Sequence, residues 1–148
     1  MSVHIQGDQI RAVAEGVYVQ KSTGTLTDTD GVALFNVSGI VKVTSLVGEV
    51  TTAITVANSY ALQFDPALGT SYTIAAAADL GTTDTAAGEL LVVEMDGSAL
   101  AVANRAQLNP GLILSTGAIE HDSNGTDGVI LWHLTYVPLT AGASVTAA

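Results

Sequence analysis

The chain contains no cysteine, and this absence excludes several kinds of chemistry. Without cysteine among the 148 residues there can be no disulfide, no thiolate nucleophile and no cysteine-based zinc site. Basic side chains are also scarce, with 4 Lys and Arg against 14 Asp and Glu and a formal net charge of -10. Binding to phosphates needs clustered cations, whereas Arg11, Lys21, Lys42 and Arg105 are scattered singly. Nucleic acid is therefore not an expected partner.

Charge of either sign is rare for a chain of this size. Only 12% of the residues are charged, against about 25% in typical globular domains, while 48% are hydrophobic. A surface made of Thr, Ser, Ala and Gly loses little ion hydration when it is covered. The composition favours a protein whose surface is largely occupied by neighbours. The alternative is a Thr-rich secreted β-domain with a weakly charged, hydrated surface.

Long apolar runs are missing as well. No segment reaches the roughly 18 apolar residues of a membrane helix, and the first ten residues lack the basic start and apolar core of a signal peptide. We therefore expect no membrane partner. The length suits one domain with a short arm. We predict an extended N-terminal arm over residues 1–30, a β-sandwich domain over residues 31–142 and a short tail over residues 143–148.

Apolar and polar residues alternate from residue 33 onward, in short stretches separated by Gly, Asn and Pro. Tyr60, Leu62 and Phe64, for example, follow one another at period two, which is typical of a strand. Many short strands of this kind predict an all-β fold, a jelly-roll-like antiparallel sandwich or barrel. We further predict a turn at Gly48-Glu49 and a single helical turn over residues 75–80, where alanine is frequent.

The middle and the last third predict two hairpins. A strand over residues 89–95 ends in Asp96-Gly97, a common hairpin turn. Strands over residues 112–121 and 129–139 flank a seven-residue tip. In the last strand Ile130, Trp132, Leu134 and Tyr136 alternate with a second set that is also largely apolar, as expected for a strand covered on both faces. The second cover is either a neighbouring subunit or the other sheet of the same sandwich.

The sequence offers no recognisable catalytic constellation. It has no G-x-S-x-G nucleophile elbow, and His4, His121 and His133 lie too far apart in the predicted fold to meet at one metal. We therefore expect a protein that is not an enzyme and that has no cofactor.

Residues 122–128 form an acidic loop that fails the EF-hand pattern. Thr126, Asp127 and His133 stand at positions 5, 6 and 12, where the pattern needs an oxygen ligand, glycine and glutamate. Two interpretations stay open: an irregular calcium site formed by Asp122, Asn124 and Asp127, and a turn whose Asx side chains bond their own backbone.

Several stretches of the sequence resemble one family. They are residues 33–54, the segment Leu114-Ser-Thr-Gly-Ala-Ile-Glu, the Asn-Gly-Thr-Asp-Gly tip, residues 131–139 and residues 141–145. Together they resemble small virion proteins encoded beside the capsid genes of tailed bacteriophages. The resemblance implies a structural role, capsid decoration (cement), in a class that forms trimers of jelly-roll-like domains on the outer shell. It carries no active site.

The resemblance and the composition agree on location and partners. A chain with a net charge of -10 suits the outer capsid surface, since packaged DNA would repel it inside. The expected partners are the major capsid protein and further copies of the chain in a homotrimer. The predicted inter-subunit contacts are Ile5, Ile10, Val13 and Tyr18 of the arm, with Trp132 and Tyr136 of the last strand. The alternatives are a tail, baseplate or head-fibre component, or a module that binds a host surface or glycan.

Overall fold

The computed structural model of the chain describes residues 7–95, 97–103 and 111–148; for residues 8, 9, 97 and 101–103 it describes the backbone alone. The described part folds into one helix and twelve strands. The helix is α1 (Gly7–Ala14), and the strands are β1 (Val17–Thr25), β2 (Thr29–Ser38), β3 (Val41–Thr52), β4 (Ser59–Pro66), β5 (Tyr72–Asp79), β6 (Leu90–Val92), β7 (Gly97–Ala99), β8 (Ala101–Ala103), β9 (Leu112–Leu114), β10 (Gly117–Ser123), β11 (Val129–Pro138) and β12 (Ser144–Ala147).

The strands form two six-stranded sheets around one core. Sheet A has the order β1-β11-β3-β6-β8, with β9 also pairing with β3, and sheet B has the order β12-β2-β10-β4-β5-β7. The described strand pairs are antiparallel except β5 with β7. The all-β prediction is confirmed. The jelly-roll topology stays a prediction; β1 to β4 alternate between the two sheets, as do β10 and β11, which is compatible with it.

Alternate residues of the long strands fill the space between the sheets. Tyr60, Leu62 and Phe64 of β4 are completely buried, which confirms their period-two pattern. From the opposite sheet, Ile130, Trp132 and Leu134 of β11 point into the same core. The core therefore consists mainly of large side chains contributed in alternation by both sheets.

Gly48 lies within a strand, so the turn predicted at Gly48-Glu49 is wrong. Strand β3 continues through this position, where Gly48 pairs with Trp132 on one side and Leu91 on the other. A β-carbon at Gly48 would lie 3.1 Å from the Trp132 ring. The glycine makes room for an indole lying across the strand, rather than for a change of chain direction.

The helical turn predicted over residues 75–80 is also wrong, because β5 runs to Asp79. Its alanines pair with β4, Ala75 with Leu62 and Ala78 with Tyr60. The intrinsic helix preference of alanine is weak and is overridden by pairing with a neighbouring strand.

The strand predicted over residues 89–95 is regular only in β6, Leu90–Val92. Asp96 of the predicted hairpin turn lies outside the described residues, as do residues 104–110. Gly97 belongs to β7, which pairs in parallel with β5 of sheet B. Strands β6 and β7 are thus in different sheets and do not form a hairpin.

The predicted hairpin near the end of the chain is wrong as well. Strand β10 lies in sheet B between β2 and β4, whereas β11 lies in sheet A between β1 and β3. The intervening loop therefore crosses from one sheet to the other. The first predicted strand, over residues 112–121, is divided into β9, which pairs with β3 of sheet A, and β10.

The predicted arm and tail need correction. Strand β1 pairs with β11 from Val17 to Thr25, so that part of the predicted arm belongs to sheet A. Another part of the arm is α1, and residues 1–6 lie outside the described residues. The predicted C-terminal tail contains β12, which pairs with β2. In the described part of the chain, no helix is long and apolar enough to span a membrane.

Candidate interaction surface

Helix α1 leaves its apolar side uncovered. Ile10 and Val13 are 56% and 89% exposed, and a spacing of three places them on one helix face. The helix ends at Ala14, and Gly16 follows it with a φ of +102°, which suits a residue without a side chain. A β-carbon there would lie 2.6 Å from the Tyr136 carbonyl oxygen. The chain thus passes close to β11 as it enters β1, while the apolar face of α1 stays in contact with solvent.

An open groove of about 940 Å³ lies between the end of α1 and the outer face of sheet A. Its floor includes Thr44, Ser45 and Thr135, and Tyr18 lines one side. Arg11 and Glu15 contribute one charge of each sign. The groove thus offers hydroxyls, methyl groups and two opposite charges.

A second group of exposed apolar side chains lies at the same end of sheet A. Lys42 pairs with Ile113 of β9 on one side and with Val137 of β11 on the other, and directly paired residues point to the same face. Ile40 and Leu139 continue this row, and the Leu139 amide donates to the Ile40 carbonyl at 2.9 Å. The four apolar side chains are exposed, Ile113 by 62%. We call these five residues the sheet A patch.

The groove and the sheet A patch form one continuous surface. Thr135 of the groove and Val137 of the patch are two residues apart on β11 and therefore share a face. Of the eleven exposed large hydrophobic side chains in the described part of the chain, six belong to this surface and two more lie on the side of α1 that faces away from the groove. They are Ile10, Val13, Val17, Tyr18, Ile40, Ile113, Val137 and Leu139. The other three, Val56, Leu68 and Tyr72, lie elsewhere, so exposed apolar side chains are concentrated on α1 and at one end of sheet A.

The outer face of sheet B is acidic instead. Asp65, Glu120 and Asp122 share this face, and the Gln63 amide nitrogen donates to the Glu120 and Asp122 carboxylates at 3.3 Å each. Partial burial, followed by the neighbouring charge of Asp65, raises the pKa of Glu120.

The described Lys and Arg side chains lie away from that acidic face. Arg11 lines the groove and Lys42 belongs to the sheet A patch. Lys21, on the edge strand β1, donates to the Ala148 carbonyl. Acidic and apolar surfaces are therefore on opposite faces of the molecule.

The structure places the six predicted contact residues in three different settings. Ile10, Val13 and Tyr18 are exposed on α1 and β1, and Ile5 lies outside the described residues. The prediction for Trp132 and Tyr136 is wrong, because both side chains are buried between the sheets. The Trp132 indole nitrogen donates to the Tyr60 hydroxyl at 2.9 Å.

Both faces of β11 are apolar, so the pattern alone could not tell which one points inward. The inward face carries Trp132, and the outward face carries Val137. The patch residues Lys42 and Ile113 were missed altogether. Their proximity depends on the pairing of three strands that are distant in sequence.

The two described histidines lie on opposite sheets. His121 of β10 is buried and stacks on Tyr60 with ring centroids 5.3 Å apart. Within the part of the chain that the structure describes, neither of its ring nitrogens has a hydrogen-bond partner, and burial lowers its pKa to about 4. His133 faces outward, with Nδ1 2.7 Å from the Tyr18 hydroxyl and Nε2 3.3 Å from a Glu49 carboxylate oxygen. Within the described residues, no group of three or more His, Asp or Glu side chains is placed to hold a metal.

The acidic loop after β10 uses its oxygens to join segments of the chain. Asp127 accepts hydrogen bonds from the Thr55 amide at 2.9 Å, the Thr55 hydroxyl at 2.6 Å and the Val56 amide at 3.2 Å. Asn124 accepts from the Ser59 amide instead. The hydrogen bonds from Thr55 and Val56 lower the pKa of Asp127. Asp127 and Asn124 therefore bond the backbone of residues 55–59 and not that of their own loop, so the predicted turn held by bonds to its own backbone is wrong.

Asp122 bonds to a different segment of the chain from Asp127 and Asn124. Its carboxylate accepts from the Gly31 amide at 2.7 Å, on the outer face of sheet B and away from the segment that Asp127 holds. The three oxygen-bearing side chains considered for calcium are therefore committed to separate partners.

We expect the thermal unfolding midpoint to be unchanged by calcium or by EDTA. Replacing Asp127 by Ala should lower the midpoint, because the Thr55 and Val56 amides lose their acceptor. Asp84→Ala, at another exposed loop position, is the matched control and should have little effect. Differential scanning calorimetry measures all of these changes; a higher midpoint of the natural chain in calcium would contradict the assignment of these oxygens to bonds within the chain.

Comparison with known proteins returned no relative. A scan against protein-family models gave no match, and neither did searches of curated proteins and of solved structures. The function is therefore argued from the surface of this chain and from the sequence resemblance described above.

Proposed function

We propose that the chain is a non-enzymatic capsid decoration (cement) protein. It binds the outer surface of a virus shell as a trimer and bridges neighbouring subunits of the major capsid protein. The observation that carries this proposal is the concentration of exposed apolar side chains on α1 and at one end of sheet A. Large exposed apolar areas are typical of protein interaction sites, and this one has few ions to desolvate.

The charge distribution supports an outward orientation of sheet B. The acidic face carries Asp65, Glu120 and Asp122, and repulsion would disfavour placing it toward packaged DNA. With sheet A toward neighbouring proteins and sheet B toward solvent, the apolar surface is covered and the carboxylates stay hydrated. No cofactor is needed for this role.

A trimer explains how modest contacts could stabilise a shell. When one copy binds, its two partners are held near their own sites at a high effective concentration. Each further contact then costs less entropy, and the three together hold neighbouring capsid subunits against internal pressure. The proposal therefore predicts both saturable binding and a more heat-resistant shell.

Binding to undecorated shells assembled from the major capsid protein of the same virus tests this function. The purified chain should co-sediment with the shells to saturation and raise their disruption temperature in calorimetry. Deleting residues 1–14, which leaves β1 intact, should weaken binding at least about tenfold, since covering two aliphatic side chains is worth a few kcal/mol.

Leu68→Glu is the control for that deletion, because Leu68 is 93% exposed away from the proposed surface. It should bind shells like the natural chain. Absence of co-sedimentation at every concentration, or full binding after the deletion, would contradict the proposal.

The competing roles lack a comparable feature in the described structure. A glycan-binding module needs exposed aromatic side chains grouped together. Tyr18 and Tyr72 are exposed but belong to different sheets. A tail, baseplate or head-fibre role would be recognised by an axial or sixfold position in the virion.

A further inference from the structure

We infer that Tyr18 is a site of covalent modification, where the phenol oxygen takes an acyl group from uncharged activated esters. Its hydroxyl contacts His133, and Glu49 holds His133 in turn. The three side chains come from β1, β11 and β3, which are neighbours in sheet A. This inference does not depend on the decoration role, so its tests and those of shell binding can fail separately.

The three side chains form a chain of hydrogen bonds on the outer face of sheet A. The Tyr18 hydroxyl lies 2.7 Å from His133 Nδ1, and His133 Nε2 lies 3.3 Å from a Glu49 carboxylate oxygen. Gln20 pairs with His133, and Tyr18 lies two residues earlier on β1, so the phenol and the imidazole share one face. A nucleophile in contact with a base, and a base held by a third group, is the arrangement that activates hydroxyl nucleophiles.

The carboxylate decides where the proton of the neutral imidazole lies. A carboxylate can only accept, so Glu49 holds that proton on Nε2 and leaves the Nδ1 lone pair directed at Tyr18. The Gln20 carbonyl oxygen is also near, 2.9 Å from the Tyr18 hydroxyl. It can accept a hydrogen bond, but a carboxamide oxygen is too weak a base to remove the phenol proton. His133 is therefore the group that takes this proton as the oxygen attacks.

The phenol is open to a reagent from solution. Tyr18 is 56% exposed and lines the groove at the end of α1 together with Arg11, Glu15 and Ser45. The guanidinium and the serine hydroxyl are donors that suit the oxygens of an ester. The charges of Arg11 and Glu15 cancel, so uncharged esters are the expected donors.

The modification step needs only the chain and the ester. The Tyr18 oxygen attacks the acyl carbon and forms a new C–O bond, while the phenol proton passes to His133 Nδ1. The bond from the acyl carbon to the leaving group breaks, and the oxygen of the leaving group keeps the electron pair. The product is an ester of Tyr18, and the imidazolium returns its extra proton to water.

The other tyrosines serve as internal comparisons. Tyr60 and Tyr136 are buried, whereas Tyr72 is 41% exposed. Within the described residues, the Tyr72 hydroxyl has no hydrogen bond, and partial burial raises its pKa. Tyr72 therefore reports how an exposed phenol reacts without a base beside it, and Tyr60 stays unreacted as long as the chain is folded.

Acetylation by p-nitrophenyl acetate tests the inference on the natural chain. Peptide mass spectrometry should find acetylation at Tyr18 at least about tenfold faster than at Tyr72, since a positioned general base contributes about a hundredfold or more. Hydroxylamine should remove the acetyl group, as expected for a phenol ester and not for an acetylated lysine.

His133→Phe should reduce the Tyr18 rate to near that of Tyr72. Gln20→Leu is the matched control on the same face; it removes only the competing acceptor and should not slow the reaction. In the natural chain the Tyr18 rate should rise with pH and level off by about pH 8, where an imidazole is uncharged. In His133→Phe it should keep rising with the phenolate fraction, as at Tyr72.

Glu49 is a positioning residue, and graded variants test its role. Glu49→Ala should slow acetylation of Tyr18 several-fold, and Glu49→Gln, which keeps an acceptor for Nε2, should restore part of the rate. Both changes are at a solvent-exposed contact, so the thermal unfolding midpoint should stay nearly constant.

Two results would overturn the inference. One is equal acetylation rates at Tyr18 and Tyr72 in the natural chain. The other is an unchanged Tyr18 rate in His133→Phe while Tyr60 stays unreacted, which would mean that the imidazole only holds β1 in place.

Discussion

Replacing Trp132 by alanine should lower the free energy of unfolding by about 3–5 kcal/mol, the usual cost of truncating a buried aromatic side chain to alanine. The indole is completely buried, lies across Gly48 and donates to the Tyr60 hydroxyl. Truncation removes these contacts and leaves a cavity between two sheets that cannot fully collapse. Urea unfolding followed by circular dichroism, at one fixed protein concentration, measures the change.

Leu131→Ala is the matched control, since Leu131 is the next residue on β11 and faces outward, only partly buried. It should cost clearly less than the tryptophan variant. Tyr60→Phe isolates the hydrogen bond and should cost about 1–3 kcal/mol, because the indole N–H stays buried without an acceptor. A Trp132→Ala loss below about 1 kcal/mol would indicate that the two sheets do not enclose this side chain.

Mild acid should destabilise the protein through His121, by about 3 kcal/mol between pH 7 and pH 4. Burial lowers the pKa of this histidine to about 4 from 6.5, so the unfolded chain takes up a proton at a higher pH than the folded chain does. The contribution is complete above pH 6.5, is lost progressively as the pH falls toward 4, and then levels off. Tyr60 stacks on the ring, and the nearby Asp122 charge opposes the shift without cancelling it.

His121→Leu should remove this acid dependence. Leucine has a similar volume and no nitrogen atoms to leave unpaired, so the variant should also be at least as stable as the natural chain at pH 7. His133→Leu, on the outer face, is the control and should retain the acid-dependent loss because His121 is still present. Urea unfolding at a series of pH values gives the comparison. If the free energy of unfolding fell with pH equally for the natural chain and His121→Leu, protonation of His121 would not be what destabilises the fold.

Local patterns predicted the strands well and their partners poorly. The alternation of Tyr60, Leu62 and Phe64 follows directly from the two-residue period of a strand, and the structure confirms it. The pairing of β10 and β11 could not be predicted in the same way, because a loop with turn residues can join two strands of one sheet or cross between sheets. Gly48 shows the same ambiguity, since its role depends on Trp132, a residue far away in the chain.

Only the part of the candidate surface whose residues are close together in the sequence could be predicted. Ile10 and Val13 are apolar residues in a polar segment, and the sequence alone singles them out as predicted contacts; the structure shows that both are exposed. The sheet A patch exists because the register of β3 with β9 and β11 brings Lys42, Ile113 and Val137 together, and no local pattern encodes that register. The orientation of Trp132 was missed because both faces of β11 are apolar.

The most direct measurement is electron cryomicroscopy of undecorated shells saturated with the purified chain. The account predicts density on the outside of the shell at three-fold or quasi-three-fold positions. In that density α1 and the sheet A patch contact protein, and the acidic face of sheet B points to solvent. Bare shells, or density with the acidic face against the shell, would contradict it.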